Sequence, residues 1–261
     1  MARPLIGLAL GSGGIKGFAH IGVLKVLDES GIPIDFMAGS SIGALAAALY
    51  GAGHDWESMK KMANAFGRRH YLDFALQKMG LVRGQRAAGL IKALTHNKKF
   101  SDSRVPITMV ATDLLTGKRV LLDTGYLYEA VRASISIPGI FVPVQMGDMM
   151  LVDGGVVDRV PASVVREMGA DIVIAVDVAG LPPQPRIRSI FDVILQSIDI
   201  MQEQLVGLQG TSADILLKPQ VVQYNTYSST RIDKIIKIGE REAERHLSEI
   251  QRLVTIGKER S

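Results

Sequence analysis

The chain has 261 residues, 47% of them hydrophobic and 21% charged, which suits a globular protein with a sizeable core and excludes a disordered one. It has no cysteine, so disulfides, thiolate metal sites and a cysteine nucleophile are excluded, and a reducing, cytoplasmic setting is expected. The net charge is only +4 but unevenly placed: Arg68 to Arg104 holds nine Lys and Arg against Asp73 and Asp102. That segment is open to two readings, a solvated surface or a peripheral contact with an anionic membrane. No nucleic-acid partner is expected, and no stretch is apolar for the roughly 20 residues a membrane span needs.

Elements alternate along the chain. "LIGLAL" reads as a first buried strand, too soon interrupted by "GSGGIKG" for a signal peptide. A helix from about Lys16 to Ser30 follows, ending at Gly31. "IDFMAG" is a strand running into a helix near Ile42. "PITMVATDL" and "KRVLLDTG" are strands, and Tyr126 to Ser134 a helix. "MMLVDGG" leads to a helix at Pro161, and "ADIVIAVDV" is another buried strand. This alternation predicts an α/β fold with a mainly parallel central sheet covered by helices.

A Pro-rich connection, "GLPPQPR", precedes a helix from Ser189, where Ser189 and Asp192 have the spacing of a capping box. Its apolar residues (Ile190, Phe191, Ile194, Leu195, Ile198, Met201, Leu205) fit core packing, a dimer contact or a membrane contact. "ADILLKP" reads as a last strand. The C-terminal helix places Ile232, Ile236, Ala243, His246, Ile250 and Leu253 on one stripe, with Glu240, Arg241, Glu242 and Arg245 expected in water. One domain over 1–261 is expected, with its motifs within 5–180 and a helical extension over 188–261.

The chemistry begins at "GSSIG", Gly39 to Gly43, the one G-x-S-x-G of the chain. Between a strand and a helix this pattern marks a nucleophile elbow, with Ser41 exposed at the helix start. The competing reading is that Ser40 or Ser41 caps the helix. A serine nucleophile needs a base. His54, His70, His96 and His246 lie in polar or helical settings, and His20 in the first helix is better placed to orient the loop before it. Asp153 in "LVDGG" is the alternative base; the same Asp-Gly pair also suits a hairpin turn. "GSGGIKG", Gly11 to Gly17, opens the first helix with bare backbone amides suited to a small anion, either an oxyanion or a phosphate. Its glycine spacing matches neither the dinucleotide nor the Walker A pattern.

Taken together, "GSGGIKGFAHIGVLKVL", "GSSIG" and "DGG" resemble the patatin-like phospholipase family, as do "ATDLLTGK" and "SISIPGIFVPV". The resemblance implies a three-layer sandwich. It implies a Ser41–Asp153 dyad and an oxyanion hole from Gly13 and Gly14, with Ser12 contributing its N–H where the family usually has a third glycine. Lys16, Gly17 and His20 fall at supporting positions of the loop, as do Gly39 and Gly43 around Ser41 and Gly154 and Gly155 after Asp153. The implied activity is phospholipase A or lysophospholipase-type hydrolysis of lipid acyl esters, with no cofactor or metal. A carboxylesterase or thioesterase with the same dyad, and a regulatory adaptor on the same fold, stay open as alternatives, and so does the oligomeric state. Phe141, Val142 and the Phe66 to Leu94 segment are candidates for an acyl channel or lid.

Overall fold

A computed structural model describes residues 3–69, 84–181, 185, 187, 190–209, 212–224 and 229–260. Five parallel strands form the spine of the sheet: β1 (Ile6–Leu10), β2 (Phe36–Ser40), β3 (Ile107–Asp113), β7 (Ile172–Val176) and β8 (Ile215–Leu217), in the order β3-β2-β1-β7-β8. Three antiparallel strands extend it: β4 (Arg119–Leu122) and β6 (Met149–Asp153) pair with β3, and β5 (Val144–Met146) with β6.

The spine strands are almost wholly apolar because both faces of the sheet are covered. Ile6, Leu8, Leu10, Met37, Ile174 and Val176 belong to one core, under α1 (Ala19–Glu29), α2 (Ile42–Gly51) and α8 (Ser229–Arg260). The alternate residues Ala9, Ala38, Val173 and Ala175 belong to a second, with Val164 and Val165 of α6 (Ala162–Glu167). Small residues on that face let α6 sit close. The layered architecture is the one expected from the alternation of elements.

Several local readings change. The "LVDGG" segment is not a hairpin turn; the hairpin lies one step earlier, at Gly147 between β5 and β6, and Gly154–Val156 is a 3-10 turn. The sequence reading passed over β5 and two helices, α3 (Trp56–Arg69) and α4 (Gln85–Leu94). Ser189, and with it the capping box, lies outside the described residues; the helix there, α7, runs Ile190–Gln209. Glu240 and Glu242 are buried rather than in water. Gly22 of α1 and Gly239 of α8 bring these two helices into backbone contact, since a Cβ on either would collide with the other's main chain. Glu240 there pairs with Lys25 (2.6 Å) and Lys237, and Glu242 with Arg245, which offsets their desolvation.

Gly43 shows how tightly α2 seats on the sheet: a Cβ there would strike the Leu10 carbonyl oxygen. Gly43→Ala is expected to destabilise the protein by on the order of 3 kcal/mol, measured by urea unfolding. An unchanged midpoint would mean that α2 does not rest on the end of β1.

Candidate active site

The sheet registers bring two distant strand ends together. β4 runs along one edge of β3, from Met109 to Thr112. On the other edge β2 ends with Ser40 opposite Val110, and β6 arrives from the opposite direction with Asp153 opposite Ala111. Ser41, the residue after β2, therefore meets Asp153 head-on. Thr112 Oγ1 donates to the Asp153 carbonyl (2.9 Å), and the Asp153 N–H donates to the Ser136 carbonyl (3.0 Å), so the Asp153 main chain is held on both sides.

Ser41 has φ 54° and ψ −121°, a conformation costly for any residue with a Cβ. Its N–H donates to Ser134 Oγ (2.8 Å), which in turn donates to the Val110 carbonyl (2.6 Å). Its hydroxyl makes no helix cap; it donates to Asp153 Oδ2 at 2.5 Å. The Gly155 N–H donates to the other carboxylate oxygen, Oδ1 (2.8 Å). Ser41 is 6% exposed and Asp153 5%. Burial pushes the Asp153 pKa up to about 6, against the opposing pull of the hydrogen bonds from Ser41 and Gly155. Near neutral pH the carboxylate therefore lies close in free energy to its protonated form.

The glycine loop stands beside this pair. Gly11 donates its N–H to Val176 (2.9 Å), and Ser12 donates its own to the Arg159 carbonyl (2.9 Å). The expected contribution of Ser12 to an oxyanion hole is thus corrected, because its amide is already engaged. Gly13 (φ 156°) and Gly14 (φ 57°) follow, and among the described residues no hydrogen bond engages their N–H groups. Gly14 is exposed, with open space where a Cβ would stand. These two amides are the free donors of the loop.

The supporting residues fall around it. A Cβ on Gly17 would collide with Ile42, so the loop rests on the residue after Ser41. His20 is fully buried, its Nε2 bonded to the Gly11 carbonyl (2.9 Å), and burial lowers its pKa to about 4. It is neutral at pH 7 and holds the loop. Lys16 is buried with its Nζ on the Gly180 carbonyl (3.3 Å), and desolvation lowers its pKa. Gly39 packs against the start of α2, and Gly154 against the Val110 carbonyl. A Cβ on Gly155 would come within 2.7 Å of Ser12 Oγ, 2.9 Å of Gln202 Nε2 and 3.0 Å of Asp153 Oδ1.

Four residues of the site were not singled out from sequence: Ser134, Thr112, Arg159 and Gln202. Ser134, the last residue of α5 (Leu127–Ser134), opens "SISIPG", a segment that carries the family resemblance without an assigned role. Arg159 is buried and ion-paired to Asp177 (2.6 Å) and Glu203 (2.7 Å) while its carbonyl holds Ser12. Nothing local in the sequence pairs these residues.

Of the proposed lid segment, residues 70–83 and the side chains of 66–69 lie outside the described residues, and Ala87 and Ile91 of α4 are buried. Phe141 lies under the Arg132 guanidinium (5.1 Å), which also donates to the Val142 carbonyl (2.9 Å). In the basic segment, the side chains of Arg68 and Arg69, with Lys78 and Arg83, also lie outside the described residues. Lys92 and Lys99 stand over the rings of Tyr128 and Tyr126, and Arg104 over Tyr50. Among the described residues, no three His, Asp or Glu side chains are grouped to hold a metal.

The fold and the site geometry define a doubly covered α/β protein in which a serine in a strained strand-to-helix turn is hydrogen-bonded to a buried aspartate. The family model of patatin-like phospholipase matches residues 8–166, and the chain belongs to that family. It is 36% identical over 187 residues to an uncharacterized NTE family protein of Mycobacterium tuberculosis, covering 70% of this chain and 52% of that one. It is 37% identical over 190 residues to the lysophospholipase NTE1 of Yarrowia lipolytica, covering 69% of this chain and 13% of that one. The chain thus matches about half the length of the mycobacterial relative and a much smaller part of the yeast one. Among solved structures, VipD from Legionella pneumophila superposes with a TM-score of 0.53 at 12% identity, covering 95% of this chain and 67% of that one. Human GIVD cytosolic phospholipase A2 gives 0.52 at 12% identity, covering 99% and 60%. At such identity these two show the fold alone.

Proposed function

We propose that this chain is a serine hydrolase of lipid acyl esters, of the phospholipase A or lysophospholipase type. The observation that carries the reading is the 2.5 Å hydrogen bond from Ser41 Oγ to Asp153 Oδ2, beside two unengaged glycine amides. Asp153 accepts the Ser41 proton as Oγ attacks the acyl carbonyl carbon. The N–H groups of Gly13 and Gly14 stabilise the oxyanion, each donor contributing ~3 kcal/mol in comparable sites. Collapse of the tetrahedral intermediate returns the proton from Asp153 to the leaving alcohol or lysolipid. Asp153 then takes a proton from water, which attacks the acyl-serine, releases the fatty acid and restores Ser41.

The pH profile tests this. Asp153 must be ionised, so kcat/KM is expected to rise about tenfold per pH unit below pH 6 and to level off above it. A rate independent of pH from 4 to 8, on the order of these limits, would exclude Asp153 as the base. Comparing lysophospholipid, diacyl phospholipid and acyl-CoA turnover separates this reading from a thioesterase. Membrane contact fits a protein whose substrate is lipid; no helix among the described residues is long and apolar enough to cross a bilayer.

A further inference from the structure

α7 is built the wrong way round for a helix facing water. A surface helix turns charge outward and apolar residues inward. The charged residues of Ile190–Gln209 are Asp192, Asp199 and Glu203, and by helical spacing they share one face. That face is the inward one: Glu203 pairs with buried Arg159 (2.7 Å), and Asp199 lies in the field of Lys16 and Arg159. Buried Gln202 reaches from the same helix to the Gly155 turn that follows Asp153. Outward stand Ile190 (66% exposed), Val193, Ile200, Met201 (57%) and Leu205, with Ser197 and Gln204 among them, while Glu203 reaches inward to Arg159 with its side chain 42% exposed. Exposed Leu181 and Ile187 of the preceding connection add to the apolar total.

One further fact points to what covers this face. The reacting pair beneath α7 is almost sealed from water, so its substrate must come past the elements that cover it. A second copy docked on α7 would clamp the helix over the site from outside. A lipid surface supplies both the apolar cover and the substrate.

We propose that the outward face of α7 is the surface by which the protein docks on lipid, its apolar side chains entering the acyl boundary while Arg159 and Lys16 hold the charged face over Ser41 and Asp153. The choice of lipid as occupant rests on the hydrolase reading. The inverted helix does not.

The chain has no cysteine, so a single reporter can be placed by Met201→Cys in a Ser41→Ala background and labelled with an environment-sensitive fluorophore. On phosphatidylcholine–phosphatidylglycerol vesicles the label is expected to shift to the blue and to be quenched by brominated acyl chains. A label at Glu57→Cys on α3 is expected to do neither. Val193→Gln, Met201→Gln and Leu205→Gln together are expected to lower vesicle partition by about tenfold or more, with the thermal unfolding transition retained. Equal responses at both labels, or unaltered partition of the folded triple variant, would overturn the proposal. A Met201 label that shifts with protein concentration and ignores vesicles would overturn it in favour of a dimer face. Because the reporter is read without turnover, the two ideas fail separately. Vesicle insertion by a protein whose Ser41 is inert to fluorophosphonate ends the hydrolase reading alone; labelled Ser41 without insertion ends the docking surface alone.

Discussion

Ser41→Ala is expected to lower acyl-ester hydrolysis by ~10⁴-fold or more and to abolish fluorophosphonate labelling. The same substitution also tests the backbone, when compared with Ser41→Gly. Both variants lose the hydroxyl and its bond to Asp153. At ordinary positions alanine is the more stabilising choice, because glycine leaves the unfolded chain more entropy to lose. At φ 54° and ψ −121° the order reverses, because the strain belongs to the Cβ. Ser41→Gly is therefore expected to exceed Ser41→Ala in unfolding free energy by about 1 kcal/mol. Chemical denaturation of both measures it. The alanine variant proving the more stable would mean that the elbow is relaxed, and retained labelling in either would place the nucleophile elsewhere.

Asp153→Asn is expected to have the second large effect, with opposite signs for rate and stability. Asparagine cannot take the Ser41 proton, so under the proposed mechanism hydrolysis is expected to be lost. It also carries no charge to desolvate. The Asp153 pKa is raised in the folded state, so its contribution to stability is fully present below the unfolded value near 4. That contribution is lost as pH rises through about 6. A shift of roughly two units corresponds to a cost on the order of 2–3 kcal/mol for holding the buried carboxylate at pH 8. Asp153→Asn is expected to raise the melting temperature at pH 8, with the gain shrinking toward nothing near pH 4. Thermal melts across that range check it. A variant less stable than wild type at pH 8 would mean that the carboxylate is better solvated than its burial implies. The pair therefore describes a site whose reactivity is held against the stability of the fold: a strained serine and a desolvated acid, fixed by Ser134, Thr112 and Gly155.

What the sequence determined was local. "GSSIG" needs only a strand, a tight turn and a helix to present a serine, and those are written in consecutive residues. The same is true of the glycine loop after β1 and of "DGG" after β6. The alternation of strand-like and helical segments already implied a mainly parallel sheet covered by helices. What remained open at that level were choices between contacts: whether Ser41 caps a helix or faces an acid, whether Asp153 turns a hairpin or ends at a site.

Tertiary structure decided those choices, because each depends on groups far apart in the chain. Ser41 and Asp153 meet only through the edge of β3 that β2 and β6 share. Ser12 is removed from the set of free donors by a carbonyl 147 residues later, that of Arg159. Glu240 leaves water because two glycines let α1 and α8 touch, and Glu242 because it accepts from the Lys218 N–H after β8. The apolar residues of α7 suited core packing, a dimer contact or a membrane contact, and composition carries no direction. Only the ion pair of Glu203 with Arg159, and the field of Lys16 and Arg159 on Asp199, settle that its apolar face looks outward.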